Sequence, residues 1–466
     1  MKELAQTLSS ILEKAPSWTE ARFHRRQSQS LQVQKGLIKQ AKSNVTSGIG
    51  IRCLVDGVWG FSSTSNFTPS AIEQAVKRAY ECGRSLSQVK KAAIKTLPQV
   101  ALARGEFVLE GYEELQQMSL EEKMTTVLKA EAQTRHRSSL IQSSTCGYNE
   151  QFEDKIVATT DGALAISRLC RNEIRLSAIA ANHGEMSEGQ HTVGRTGSWN
   201  CLFSEYSIDQ MGEQAAKLAV DLLSAPKTPG GMATLILSPA MVGLLSHEAI
   251  GHTVEADFVL SGSVAQGKLG KKVASSLVSL CDSGYVQGQP FAGGALLVDD
   301  EGVPTQNTFI IKDGILESYL HNRESAAVFG VAPTGNARAW LYQDEPLIRM
   351  RNTFVLPGNQ TLQEIIESTE DGYLLDCPLG GQADATGEFM FGAQKVMKIE
   401  KGKITKLYRG ATISGKAFEV LSSVDAVSKE FLLDLGAGYC GKGQPAKVDA
   451  GGPYIRCKAM IGGVQE

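Results

Sequence analysis

Two hydrophobic periods alternate through the first half of the chain. Leu4, Leu8, Ile11 and Leu12 recur at helical spacing among Gln, Ser and Glu, which predicts an amphipathic docking helix at the start. Ser30 to Gln40 reads as a strand pair turning at Lys35-Gly36. Gly48 to Ser62 repeats the form around Asp56-Gly57, a favoured two-residue hairpin turn. Thr68-Pro69 opens a helix through Tyr80, with Thr68 as N-cap and Ile72, Val76 and Ala79 on one face. Another helix begins at Ser119, where Glu122 completes a capping box. A third hairpin turns at Asp161-Gly162. The half closes on a helix from Ser207, with Gln210 as capping partner and Met211, Ala215, Leu218 and Leu222 as its apolar stripe.

Ala225 to Gly231 then holds two prolines and two glycines, the strongest linker signal in the chain. The boundary puts one domain at residues 1–225, a linker at 226–231 and a second domain at 232–466. The second domain opens with a strand, Ala233 to Leu237, and a helix capped by Ser238 with Pro239 as its first residue. From about Ala292 onward the pattern is mostly β, with hairpin turns at Asp313-Gly314 and Lys401-Gly402. Many short strands with glycine turns predict a sandwich or closed barrel, because open sheet edges invite aggregation. The fold class is α+β: an N-terminal α/β domain with antiparallel sheet and flanking helices, then a mostly β domain.

Composition removes several functions. With 42% apolar and 21% charged residues in 466, the chain is neither disordered nor short of core. Its 47 basic and 50 acidic side chains leave no basic surplus to neutralise phosphates, so nucleic acid is not expected as the main partner. Nine cysteines, an odd number without a CxxC pair, fit a reducing compartment. No signal-peptide core and no apolar run of about 20 residues occur, so a cytoplasmic protein without a membrane partner is expected.

The candidate chemistry lies in the second domain. Its opening helix reads His247-Glu248-Ala249-Ile250-Gly251-His252, an HExxxH motif one residue longer than that of the zincins. Residues five apart on an α-helix are separated by about 140°, so both imidazoles cannot face one ion from a regular helix. A π-type turn, or a helix ending at Gly251, is therefore expected. Glu248 follows the first His and would sit beside a metal-bound water as general base. A catalytic zinc takes three protein ligands, and two His leave the third open among Glu255, Asp257 and a distant cysteine. Cys440, in a glycine-rich loop, is one candidate. Cys53, Cys82, Cys170 and Cys281 read as small buried hydrophobes.

Several separated motifs, in order, resemble the TldD/PmbA family of metalloproteases, and its metal-bearing TldD branch in particular. They are Gly48-Ile49-Gly50-Ile51-Arg52 running into Val55–Phe61, the HExxxH, Ala332-Pro333-Thr334-Gly335-Asn336, Met350-Arg351-Asn352-Thr353, and Cys440-Gly441-Lys442-Gly443-Gln444. The resemblance implies a barrel-like C-terminal domain, Zn²⁺ on His247, His252 and Cys440, and Glu248 as the catalytic residue. It also implies peptide or unfolded-protein substrates, and a homodimer or a heterodimer with a related chain lacking the zinc motif. A non-catalytic, peptide-binding partner subunit is the competing expectation. One departure concerns Thr253-Val254-Glu255-Ala256-Asp257, where family chains read Gly-x-x-Glu-Gly-Asp, and the roles of Glu255 and Asp257 stay open.

Smaller features carry weaker expectations. Gly380 to Phe389, with Asp384 and Glu388, reads as a bent strand pair, with a substrate-strand clamp as the alternative. Arg338 and the Met350–Thr353 segment would meet a substrate carboxylate if they served function, and surface solvation otherwise. His321 reads as structural or exposed, and no signal singles out His24, His136, His183 or His191.

Overall fold

The computed structural model describes residues 1–91 and 94–463. In the first half, the strands are β1 (Trp18–Gln34), β2 (Leu37–Val55), β3 (Val58–Thr64), β4 (Arg104–Val108), β5 (Ile141–Thr159), β6 (Leu164–Asn182) and β7 (Glu185–Thr196). They form one sheet ordered β3-β2-β1-β5-β6, with β4 and β7 both paired to the far side of β6. Only β4 runs parallel to its neighbour. The expected turns are present: Lys35-Gly36 and Asp56-Gly57 take positive φ at both positions, which only a type I′ turn between twisted strands requires. The strands they join are much longer than the hairpins read from sequence, and merge into one meander.

Among the described residues, five α-helices accompany this sheet: α1 (Lys2–Leu12), α2 (Pro69–Ser87), α3 (Tyr112–Gln117), α4 (Leu120–Arg135) and α5 (Ile208–Leu223). Both expected capping boxes form, Ser119 with Glu122 and Ser207 with Gln210. Thr68 occupies the N-cap of α2 without a side-chain cap; its N–H donates to Asn66 instead. α1 and α2 bury Leu8, Ile72 and Ala79 against Ile49, Ile51 and Ile156 of the sheet. α4 and α5 bury Val127, Met211 and Ala215 against Tyr148, Ile174 and Leu176. The opposite face is polar: Asn44, Ser28, Gln151 and Arg171 are successive cross-strand neighbours there. An antiparallel sheet tolerates one such face.

The second half holds β8 (Gly231–Leu237), β9 (Leu280–Ser283), β10 (Asn307–Lys312), β11 (Ile315–Leu316), β12 (Ala337–Arg338), β13 (Leu347–Ile348) and β14 (Asn352–Val355). After these come β15 (Asp371–Ala383), β16 (Glu388–Glu400), β17 (Lys403–Lys416), β18 (Ala426–Leu433), β19 (Tyr439–Gly441), β20 (Pro445–Lys447) and β21 (Asp449–Gly463). β15 pairs with β16, β16 with β17, β17 with β21, β21 with β8 and β8 with β15, so the ring of pairings closes. This is the barrel-like domain expected from sequence. β12–β13 and β19–β20 are separate two-stranded ribbons.

Between Ser261 and Arg351 the strands are shorter and fewer than the β-rich reading implied. Buried carboxylates take the place of ladder partners. Asp299 accepts from the N–H groups of Glu301, Val303 and Ala337, and Asp282 accepts from the backbone and guanidinium of Arg351. The Gly380–Phe389 segment is a bent strand pair: the β15–β16 register slips between Pro378 and Gly381, and Asp384 accepts from Thr386 and Glu388 at the turn.

Candidate metal centre

The chain enters the site through α6 (Pro239–Leu244), which follows β8 and starts with Met241 N–H donating to Ser238 Oγ at 3.5 Å. All six residues of α6 are buried, and the helix packs on β15 and β21. From Leu245 to Gly251 the backbone widens into a π-helix, and His252 N–H donates to the His247 carbonyl. Wider winding returns residues five apart to nearly the same face. The imidazoles of His247 and His252 consequently sit with ring centroids 5.1 Å apart. Gly251 has an ordinary helical φ of −53°, so conformational freedom is not the reason for glycine. A Cβ there would fall inside the Met350 sulfur.

Cys440 comes from β19, far along the chain. Its Sγ and one ring nitrogen from each of His247 and His252 lie within 4.8 Å of one another, the grouping the fold makes among the described residues. The edges of a tetrahedral site with two nitrogens and one sulfur on zinc are about 3.3–3.6 Å, the same scale as this grouping. Buried His247 leaves both ring nitrogens without a partner. Burial also pushes its pKa down, favouring the neutral form that binds metal. Two imidazoles and one thiol are a donor set suited to zinc.

Charged groups behind these donors orient them. His252 Nδ1 lies 3.2 Å from Glu255 Oε2, which leaves Nε2 as the ring nitrogen free to serve as a ligand. Glu255 is fully buried, and burial pushes its carboxyl up. The hydrogen bond from His252 and the Lys442 charge outweigh that and hold it below the ordinary value. Lys442 Nζ reaches Glu255 at 2.9 Å and Asp257 at 2.7 Å, so one lysine bridges both carboxylates behind His252. Glu248 Oε2 lies 3.8 Å from His252 Nε2 and is part-exposed. It faces a cleft of about 490 Å³ that also opens onto His247, Cys440 and, from the first sheet, Arg175, His191 and Thr192.

Three sequence models of PmbA/TldA metallopeptidases match the chain: domain 1 over residues 19–82, the central domain over 113–223 and the C-terminal domain over 229–463. The chain belongs to the TldD/PmbA family. A protein named Metalloprotease from Methanothermobacter thermautotrophicus is 33% identical, covering 93% of each chain. A Metalloprotease TldD homolog from Haemophilus influenzae is 29% identical over 95% of this chain and 92% of that one. A Zinc metalloprotease TldD homolog from Saccharolobus solfataricus is 29% identical over 91% and 92%. The crystal structure of TldE from Thermococcus kodakarensis shares the fold with a TM-score of 0.80 at 18% identity, covering 99% of this chain and 100% of that one.

Not every sequence expectation for this TldD/PmbA chain survives. Arg351 is fully buried on Asp282, and buried Arg338 donates to the Met350 and Lys447 carbonyls, so neither is solvated at the surface and both are held by protein partners. His321 is buried beside Ser325, and its pKa is pushed down to about 4 by burial, as a structural histidine's would be. Cys82 is exposed rather than buried; Cys53, Cys170 and Cys281 are buried. Sequence reasoning passed over Arg349, Lys442 and His191. Lys442 stood in view two residues after Cys440, but nothing local marked its partners. No helix among the described residues is long and apolar enough to cross a membrane.

Proposed function

We propose that the chain is a zinc-dependent metallopeptidase that hydrolyses peptide bonds of unfolded peptides or small proteins, in peptide maturation or degradation. His247, His252 and Cys440 would hold the ion, with Glu248 as general base. One observation carries the reading: a π turn gathers two otherwise divergent imidazoles onto the Cys440 thiol, with the Glu248 carboxylate beside them at a cleft. Zinc, when bound, supplies Lewis-acid activation of water and of a peptide carbonyl. Glu248 would accept a proton at its carboxylate and return it to the leaving amine. Glu255 fixes the His252 ring through Nδ1, and Lys442 holds Glu255 in place.

The names of the relatives support a metalloprotease, and one of them names zinc. The competing role, a non-catalytic peptide-binding subunit, draws no support from a site that keeps the three donors and Glu248 together. We further propose that the chain pairs with a second copy or with a related chain lacking the HExxxH. The test measures zinc content of the purified protein and cleavage of an unstructured peptide by wild type and Glu248→Gln, alone and with such a chain. One zinc per chain with hydrolysis lost only in the variant supports the reading. Zinc-loaded wild type that cleaves nothing in either setting rejects it in favour of the binding role.

A further inference from the structure

Two carboxylates in the metal cleft have no task in the reading above. Asp376, on β15, and Asp434, just after β18, both line it. Among the described residues neither side chain takes part in a hydrogen bond or an ion pair. Burial, then Asp376 and Asp449, push the Asp434 carboxyl up to about 7, against the pull of Arg195. Arg195 is itself engaged by Glu205 at 3.1 Å, and Lys395, the cross-strand neighbour of Asp376, makes no ion pair with it. Asp449 is satisfied by three backbone N–H groups.

The pair also has aromatic company. Tyr206 and Tyr454 line the same cleft, and the fields of both aspartates reach both phenols. Tyr454 is pushed up to about 12, by burial first and then by Asp376 and Asp434. Tyr206 stacks edge-on with His191, ring centroids 5.1 Å apart. Partly desolvated carboxylates without an ion-pair partner are costly, and aromatic faces attract cations. Both features are relieved by one kind of guest.

We propose that Asp376 and Asp434, flanked by Tyr206 and Tyr454, form a specificity subsite for a cationic group of the peptide, an ammonium or a guanidinium. This rests on the metallopeptidase reading for the identity of the guest as a peptide. It goes beyond that reading in making the enzyme charge-selective. The cation would be a Lys or Arg side chain at a set distance from the scissile bond, or the α-amino group of the peptide.

The experiment separates these sources and separates this proposal from the activity. Zinc-loaded, full-length Glu248→Gln binds fluorescent peptides in which a single Lys or Arg is moved through a neutral sequence. Norleucine or citrulline replaces it in the controls, and every peptide is made with a free and an acetylated N-terminus. At one position, or at the free N-terminus, the cation tightens binding about tenfold or more, a difference of 1.4 kcal/mol. Adding Asp376→Asn and Asp434→Asn brings the ratio near one, and Asp434→Glu retains it. Asp376→Asn alone lowers the ratio if the double change does not fold. Equal affinities at every position, including no measurable binding, overturn the subsite, as does a ratio that survives the Asn changes. A second zinc per chain that disappears with those changes overturns it too, by making the pair a metal site. Charge-selective binding beside a wild type that cleaves nothing rejects the peptidase and leaves the subsite standing.

Discussion

Arg349 donates through one nitrogen, Nη2, to both the sulfur of Cys440 at 2.7 Å and its carbonyl at 2.8 Å. Both residues are buried, so the guanidinium fixes where the sulfur points and lies against the charge a thiolate would carry. Arg349→Lys keeps a charge but cannot hold Cys440 through one arm and the Gln444 carbonyl through the other. Zinc affinity is expected to fall by about 10–100-fold, the usual size for a group that orients a ligand. Competition titration with a chromophoric chelator measures it; unchanged affinity removes Arg349 from the site.

Cys440→Ser is expected to weaken zinc binding far more than Glu255→Gln or Asp257→Asn. A neutral hydroxyl is a poor zinc ligand, whereas the carboxylates act through His252 and Lys442. The domain still folds, because the barrel core does not depend on metal. Parallel titrations that find a carboxylate variant empty and the Ser variant full would reverse the assignment.

On the proposed mechanism, Glu248→Gln is expected to bind zinc like wild type and to lose about 10²–10⁴-fold in turnover, the range of a general-base contribution. Steady-state peptide hydrolysis at equal zinc content checks this. Activity at the wild-type level would place the proton transfer elsewhere.

Gly251→Ala pushes a methyl group into the Met350 sulfur. A loss of about 1–3 kcal/mol in stability is expected from overpacking, with reduced zinc occupancy because the π turn must shift. Pairing it with Met350→Val should recover much of both. Thermal melts and metal analysis of the single and double variants test the steric account, and absence of recovery counts against it.

Asp434 gives stability a pH dependence of definite sign. Burial and Asp376 lift its folded value to about 7, whereas an unfolded aspartate titrates near 3.9. Between these values the folded chain holds a proton that the unfolded chain has released, so this group's contribution weakens as pH rises and is lost above about 7. Asp434→Asn removes that penalty. It should stabilise the protein more at pH 8 than at pH 5, as read from melting temperatures; an equal shift at both would contradict the account.

Part of the site was legible before any coordinates. The five-residue spacing of His247 and His252 allowed both to face one ion only if the helix widened or ended at Gly251, and the chain winds as a π-helix there. The reason for Gly251 was not legible, since it depends on Met350, ninety-nine positions away by number, meeting it in space. Arg351 reads from sequence as a surface arginine, solvated or meeting a substrate carboxylate, and nothing in the sequence marks Arg349. On an extended segment their side chains share a face, so only the partner each meets, Asp282 or Cys440, separates them.

By itself the sequence determined the local geometry: the capping boxes at Ser119 and Ser207, the positive-φ turns, and the departure from regular winding that a shared ion on HExxxH would require. Those features rest on hydrogen bonds and steric limits among residues a few positions apart, which composition and spacing state directly. Tertiary structure alone decided the closure of β8 on β15 and β21, the delivery of Cys440 and Lys442 to the helix carrying His247, and the gathering of Asp376 and Asp434 in one cleft. Such meetings depend on strand register and on packing between distant segments, and a one-residue slip would turn the strand residues Asp376 and Cys440 to the other face.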